Sequence, residues 1–69
     1  MVKIKEVSNG VLVEGTAFQV TFRNRFKALM AAHAVALGEA TAAGEAVTIA
    51  VPAGWGDPIT IEPVARLAA

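Results

Sequence analysis

The sequence predicts a small α+β domain with the element order β-β-β-α-β-β. One observation is a single long stretch, residues 24–43, that is rich in alanine, the best helix former. A second is the alternation of apolar and polar residues on both sides of it, which is typical of strands with one buried face. A third is a pair of tight-turn signals near the N-terminus. Together they predict a three-stranded antiparallel meander, one long helix packed on the sheet, and then a β-hairpin.

Length and composition limit the class of protein. The 69 residues suffice for one domain with one small core, and such domains often depend on disulfides, metals or a partner chain. Without cysteine and with one histidine, neither disulfides nor an all-protein zinc site is expected, and no cofactor is implied. Charged residues make up 17% of the chain, against roughly 25% in ordinary soluble domains. This shortage predicts hidden apolar surface and self-association, most simply as a homodimer, or contact with another protein.

The charges are balanced but segregated. A formal net charge of zero argues against general nucleic-acid binding through phosphates. Residues 1–27 hold five bases and two acids, a net of +3, whereas residues 28–69 hold one base and four acids, a net of −3. Such a polarised domain can pair head to tail or offer its basic end to an anion. No signal segment or membrane span is visible, which favours a cytoplasmic location.

The first strands are predicted from alternation and turn residues. Residues 2–8 alternate, and Asn9-Gly10 follows, the strongest short hairpin signal. If these two residues form the turn, Lys5 lies opposite Glu14 as a favourable cross-strand pair. A second turn at Gly15-Thr16 starts a third strand, residues 17–23. Both turns place the same apolar residues on one face, which supports the register: Val2, Ile4, Val11, Val13, Phe18, Val20 and Phe22.

The helix is predicted to begin after Asn24, a good N-cap, and to end at Gly44. One side carries the larger residues Phe26, Leu29, Met30, His33, Leu37 and Ala40. The opposite side carries Ala28, Ala31, Ala32, Val35, Glu39 and Ala42, and neither side is strongly charged.

A single sheet can cover only one of these two sides. The larger side chains offer more area to bury and are therefore favoured for the sheet, although alanines four apart would allow a closer approach. The other side would then be the interface of a two-fold dimer. Its predicted residues are Ala28, Ala31, Ala32 and Val35.

The rest of the chain reads as a hairpin and a tail. Residues 46–51 form a strand ended by Pro52, and residues 59–62 form a short strand stopped by Pro63. Residues 64–69 are expected to be a loosely held tail.

This order of signals resembles a widespread family of short bacterial domains of unknown function. The matching features cover roughly residues 2–51 and concern spacing: a hairpin, a phenylalanine and polar cap, an alanine-spaced helix, then a strand. The residues that carry the resemblance are Asn9-Gly10, Gly15, Phe22, Asn24, Ala28, Ala32, Ala36, Val47 and Ile49. The resemblance implies the fold and no activity.

Two candidate binding features remain. Arg23, Arg25 and Lys27 bracket the helix start, where they could hold an anion together with the helix N-terminus, or form a solvated basic edge. Trp55, in a Gly/Pro-rich loop, could be a stacking platform for a base or sugar, or could cap the core.

Catalysis is not expected. His33 lies among apolar helix residues and is best explained by packing. The sole serine, Ser8, lies at a hairpin turn, and no orienting carboxylate is predicted beside this pair. The sequence thus favours a non-enzymatic oligomerisation or protein-interaction module, with an anion-binding or nucleic-acid-contacting module as the alternative.

Overall fold

The structure is a computed structural model that describes residues 1–64. Its elements, in chain order, are β1 Val2–Val7, β2 Gly10–Glu14, β3 Gln19–Phe22, α1 Arg25–Ala43, β4 Val47–Ala50 and β5 Ile59–Ile61. The α+β class and the order of the elements are therefore confirmed.

All five strands belong to one mixed sheet, in the order β3-β2-β1-β4-β5. The meander β1-β2-β3 and the pair β4-β5 are antiparallel, as predicted, but β4 lies beside β1 and runs parallel to it. The predicted meander and the final hairpin are both present, but they join in one five-stranded sheet that is mixed, so the expectation of antiparallel strands alone is corrected. The helix carries the chain back across β2 and β1, so the hairpin extends the existing sheet rather than standing apart.

The strand registers differ from the predicted ones by two residues. Val7 lies opposite Gly10, so Ser8 and Asn9 form the first turn. Val13 lies opposite Val20 rather than Phe18, and the second turn is closed by the Gly15 N–H, which donates to the Phe18 carbonyl at 2.7 Å. A shift of two residues keeps each side chain on its face, and so the predicted apolar face survives the correction.

Gly10 explains why the first turn lies one residue earlier than predicted. It has φ +151°, and a Cβ there would collide with the Phe22 carbonyl of β3. The glycine is therefore needed inside β2, where β3 approaches closely, and not as a turn residue. The predicted ion pair still forms: Lys5 Nζ lies 3.3 Å from Glu14 Oε1, although Lys3 is the residue directly opposite Glu14.

The helix has the predicted caps. Asn24 accepts a hydrogen bond from the Lys27 N–H through its side-chain oxygen at 2.8 Å. At the other end Gly44 is left-handed and donates its N–H to the Ala40 carbonyl at 2.8 Å. These contacts satisfy backbone groups that the helix ends leave without intrahelical partners.

The alanine side of the helix, not the side with the larger residues, packs on the sheet. Ala28, Ala32, Ala36 and Ala40 are the buried helix residues. The first three of these close a core formed with the sheet residues Val2, Ile4, Val11, Val13, Ile49 and Ile61. The preference for Phe26, Met30 and Leu37 against the sheet is therefore wrong. The sheet already supplies branched side chains to the interface, so small helix residues complete a close-packed layer that large ones would overfill.

The predicted loose tail is described only at its first residue. The Val64 N–H donates to Thr41 Oγ1 of the helix at 3.2 Å. The remainder of the predicted tail, residues 65–69, lies outside the described residues.

Candidate protein-interaction surface

The outward side of the helix carries large apolar residues in water. Phe26 is 71% exposed, Met30 58% and Leu37 39%. With the exposed His33 between them, they form what we call the outer strip: Phe26, Met30, His33 and Leu37. Its spacings of four, three and four residues are those of helices that pack side by side. Exposed apolar residues in such a row mark a contact surface more often than isolated ones do.

A row of small residues runs beside the outer strip. Ala34, Gly38 and Ala42 are exposed and lie four residues apart on the helix. With Val35 and residues 16–18 of the β2–β3 turn, they border a shallow, mainly apolar groove of about 370 Å³. Large and small residues thus lie side by side on one uncovered helix surface.

The residues predicted as the dimer interface are mostly inside the domain. Ala28 and Ala32 are 0% exposed because they contact the sheet. Ala31 is half-buried, and Val35 is half-buried against the core. A second chain cannot reach Ala28 or Ala32 while this packing holds, so these two predicted interface residues are corrected, whereas Ala31 and Val35 stay predictions. The uncovered strip that the prediction required does exist, on the opposite side of the helix.

The predicted basic edge is only partly available to a ligand. Arg23, Arg25 and Lys27 are all exposed. The Arg25 guanidinium, however, lies over the Trp55 ring, 4.7 Å from its centroid, a cation–π contact. The Lys27 N–H, one of the backbone groups that an anion at the helix start would use, already donates to the Asn24 side-chain oxygen. The Arg25 side chain and the Lys27 N–H are thus already engaged within the domain, whereas the Arg23 side chain forms no such contact among the described residues.

Trp55 is half-buried and packs against the core, as expected for a cap on its open end. Its backbone N–H donates to the Pro52 carbonyl at 3.1 Å, which closes the loop. One ring face is occupied by Arg25. The two residues singled out separately in the sequence therefore contact each other, while the buried Trp55 Nε1 has no hydrogen-bond partner among the described residues. Anion binding by Arg25 and stacking on Trp55 stay predictions.

Glu39 has a role that the sequence analysis missed. Its Oε2 accepts from the Thr16 N–H at 3.0 Å, and its Oε1 lies 3.4 Å from the N-terminal amine of Met1. The Thr16 hydrogen bond is the main cause of a lowered Glu39 pKa, to which the amine adds, while desolvation opposes the shift. The available signal was an acid late in a helix, where the dipole disfavours it.

Gly15 leaves room for this connection. A Cβ on Gly15 would lie 2.8 Å from Glu39 Oε2 and 2.8 Å from Val35 Cγ1. Distances this short would displace the carboxylate or the valine, so the β2–β3 turn needs glycine to approach the helix.

The remaining candidates are His33 and Ser8. His33 is exposed, so the expectation that packing within the domain explains it is wrong; its neighbours in the outer strip are apolar. Ser8 is exposed in the β1–β2 turn. Across residues 1–64, no three His, Asp or Glu side chains gather closely enough to hold a metal ion.

Comparison with known proteins returned no matching family model, curated protein or solved structure. In the part of the chain that the structure describes, no helix is long and apolar enough to cross a membrane.

Proposed function

We propose that this protein is a non-enzymatic interaction module that forms a homodimer through the outer strip of its helix. The observation that carries the proposal is the exposure of Phe26, Met30 and Leu37 on one uncovered helix side. Only three of the 19 helix residues are charged, namely Arg25, Lys27 and Glu39. Burial of apolar surface is the main driving force for association, at roughly 25 cal/mol per Å².

An antiparallel helix pair with its two-fold axis at Ala34 fits this surface best. In this arrangement Met30 of one copy lies opposite Gly38 of the other, and Phe26 lies opposite Ala42. Leu37 lies opposite Ala31. Each large side chain thus faces a small one, which allows the close, interlocking packing that helix pairs require. A parallel pair would place large residues against large ones and leave the small row uncovered.

The charges favour the same orientation. The antiparallel arrangement brings Arg23, which precedes the helix, opposite Glu45, which follows it. It also places the two helix dipoles antiparallel, so the positive N-terminal end of each helix lies beside the negative C-terminal end of the other. These terms act mainly on orientation, because exposed ion pairs contribute little to affinity. A second copy is the partner that fits, since one helix surface supplies both the large residues and the small ones that receive them.

The test is the mass of the protein in solution, measured by sedimentation over a range of concentrations. The wild type is expected to be a dimer. Met30→Glu places a charge at the centre of the interface and should weaken association at least about a hundredfold, roughly 2.7 kcal/mol. Thr60→Glu, an exposed position on β5 at the far edge of the sheet, adds the same charge and should leave the dimer intact.

Gly38→Ala provides a sharper check of the orientation. Space around Gly38 is open within one chain, and alanine is the better helix former, so the isolated fold should gain about 0.5–1 kcal/mol. The added methyl group should nevertheless weaken the dimer, because it fills the position that receives Met30. A wild type that stays monomeric at high micromolar concentration would refute the proposal. A dimer indifferent to both variants would refute this interface.

A further inference from the structure

The two edges of the sheet are protected to very different degrees. A strand edge exposes unpaired backbone groups, which proteins usually shield with prolines, charges or short length. β5 has three residues, Ile59–Ile61; Pro58 precedes it and Pro63 follows after Glu62, and proline cannot donate to an added strand. β3 has four residues, Gln19–Phe22, with no proline or charge among them. Its edge is therefore the one that can accept another strand.

The side chains next to this edge form a surface for alternate residues of an added strand. Val20, on the helix side of β3, is 40% exposed, and Phe18 and Phe22 are half-buried beside it. At the Phe18 end, the apolar groove under the helix is bordered by Val35 and Ala42. Every second side chain of an added strand would point to this apolar side, because strand side chains alternate between faces.

The positive charge of Arg23, near the β3 edge, favours an added strand that carries an acidic residue. At the Phe22 end, Arg23 borders an open polar pocket of about 500 Å³ together with Asn9 and Thr21. Within residues 1–64 Arg23 forms no ion pair. The nearby carboxylates are already engaged, Glu14 with Lys5 and Glu39 with the N-terminal amine. An approaching segment therefore meets a positive charge at this end and no unpaired negative charge on β3.

We infer that the β3 edge binds an extended segment of another protein as a sixth strand. The segment has apolar residues at alternate positions, which face Val20 and the helix, and an acidic residue opposite Arg23. Backbone hydrogen bonds supply affinity and the alternate side chains supply selectivity, as in other cases of strand addition. This surface is centred on the β3 edge rather than on the outer strip, although Arg23 and the groove residue Ala42 also belong to the proposed dimer contact. The inference goes beyond the proposed dimer because its occupant is a strand of another protein.

The probe is a short synthetic peptide of alternating valine and threonine that ends in glutamate. Its binding to the full chain is followed by amide chemical shifts and by hydrogen exchange. We expect the largest shifts and new exchange protection at residues 19–22. The matched control is the same peptide with N-methylated backbone at alternate positions, which cannot complete the ladder and should bind at least about tenfold more weakly.

Three variants locate the site. Val20→Lys puts a charge on the helix side of the edge and should abolish binding, whereas Gln19→Lys, at an exposed position on the outer side of the same strand and outside the Arg23 pocket, should not. Arg23→Glu should weaken the glutamate-ended peptide about tenfold and strengthen a lysine-ended one. Far-UV circular dichroism of each variant verifies that it is folded.

Equal binding of the N-methylated peptide would overturn the inference, as would shifts confined to the outer strip. Exchange protection at residues 19–22 without peptide that increases with protein concentration would also overturn it, because the occupant would then be a second copy. The solution mass of the wild type decides the proposed dimer separately.

Discussion

Glu39 is the residue that ties three distant parts of the chain together. Its carboxylate joins the helix to the β2–β3 turn through the Thr16 N–H and to the chain start through the Met1 amine. Both contacts favour the ionised form and lower the pKa from its ordinary value of 4.5. A carboxyl with a lowered folded-state pKa stabilises the fold above its unfolded pKa and loses that contribution as pH falls through the folded value.

This predicts a Glu39-dependent loss of stability in acid. The free energy of unfolding in urea should fall in the wild type as the pH drops below 4.5, the ordinary pKa of the carboxyl, because the folded state binds that proton less readily than the unfolded state. Glu39→Gln should be less stable near neutral pH, with a smaller difference at the acid end. Glu62→Gln is the control, because that side chain is exposed and forms no ion pair in the described part of the chain. A pH profile unchanged by Glu39→Gln would show that these contacts do not stabilise the fold.

At the scale of elements, the ends of the helix could be predicted from the sequence, but its packing side could not. Its start at Arg25, its end at Ala43 and both caps were predictable from Asn24 and Gly44, because caps are local chemistry. The side that packs on the sheet was not. Burial area favours Phe26 and Met30, whereas close approach favours the alanines, and the outcome depends on how much volume the sheet already fills.

The alanine packing predicts a strong effect of small increases in volume. Ala32 is 0% exposed, so Ala32→Leu must push the helix from the sheet and should cost about 1–3 kcal/mol in the free energy of unfolding. Ala43→Leu, at the exposed last position of the same helix, should change stability by less than about 0.5 kcal/mol. Chemical denaturation of the two variants measures both values. If Ala32→Leu is as stable as the wild type, the alanine side does not face the sheet.

The strands show a similar division between what was predictable and what was not. The apolar face could be assigned because alternation has a period of two, and a register error of two residues leaves it unchanged. The turn could not be assigned, because Asn9-Gly10 fits a turn locally while Gly10 is needed against the Phe22 carbonyl. Only a long-range contact distinguishes the two uses of one glycine.

At the scale of the whole molecule, the mixed topology of the sheet could not be predicted from the sequence. Nothing in the alternation of residues 46–51 says which edge of the meander receives that strand. For the same reason, only part of the candidate interaction surface could be predicted from the sequence. An uncovered helix side follows from low charge, but its identity as the outer strip depends on how the layers pack.

Charge polarity gives the whole-molecule prediction. If the basic end holds an anion, phosphate should raise the melting temperature more than chloride at equal ionic strength. Arg23→Ala should then remove the gain, whereas Lys3→Ala, an exposed lysine within the sheet, should preserve it. Arg25 is unsuitable for this test because its removal also breaks the contact with Trp55. Identical melting curves in both salts would identify the basic edge as solvated surface.

The position of β1 at the middle of the sheet has a consequence for the order of folding. This strand precedes the other four strands along the chain and can pair at once with β2, its neighbour in sequence. Its other edge must wait, since Val2 is opposite Ile49, near the far end of the sequence. Closing so long a loop costs more entropy than closing a hairpin, and non-local contacts slow folding. The parallel β1–β4 junction is therefore expected to form last and to set the folding rate.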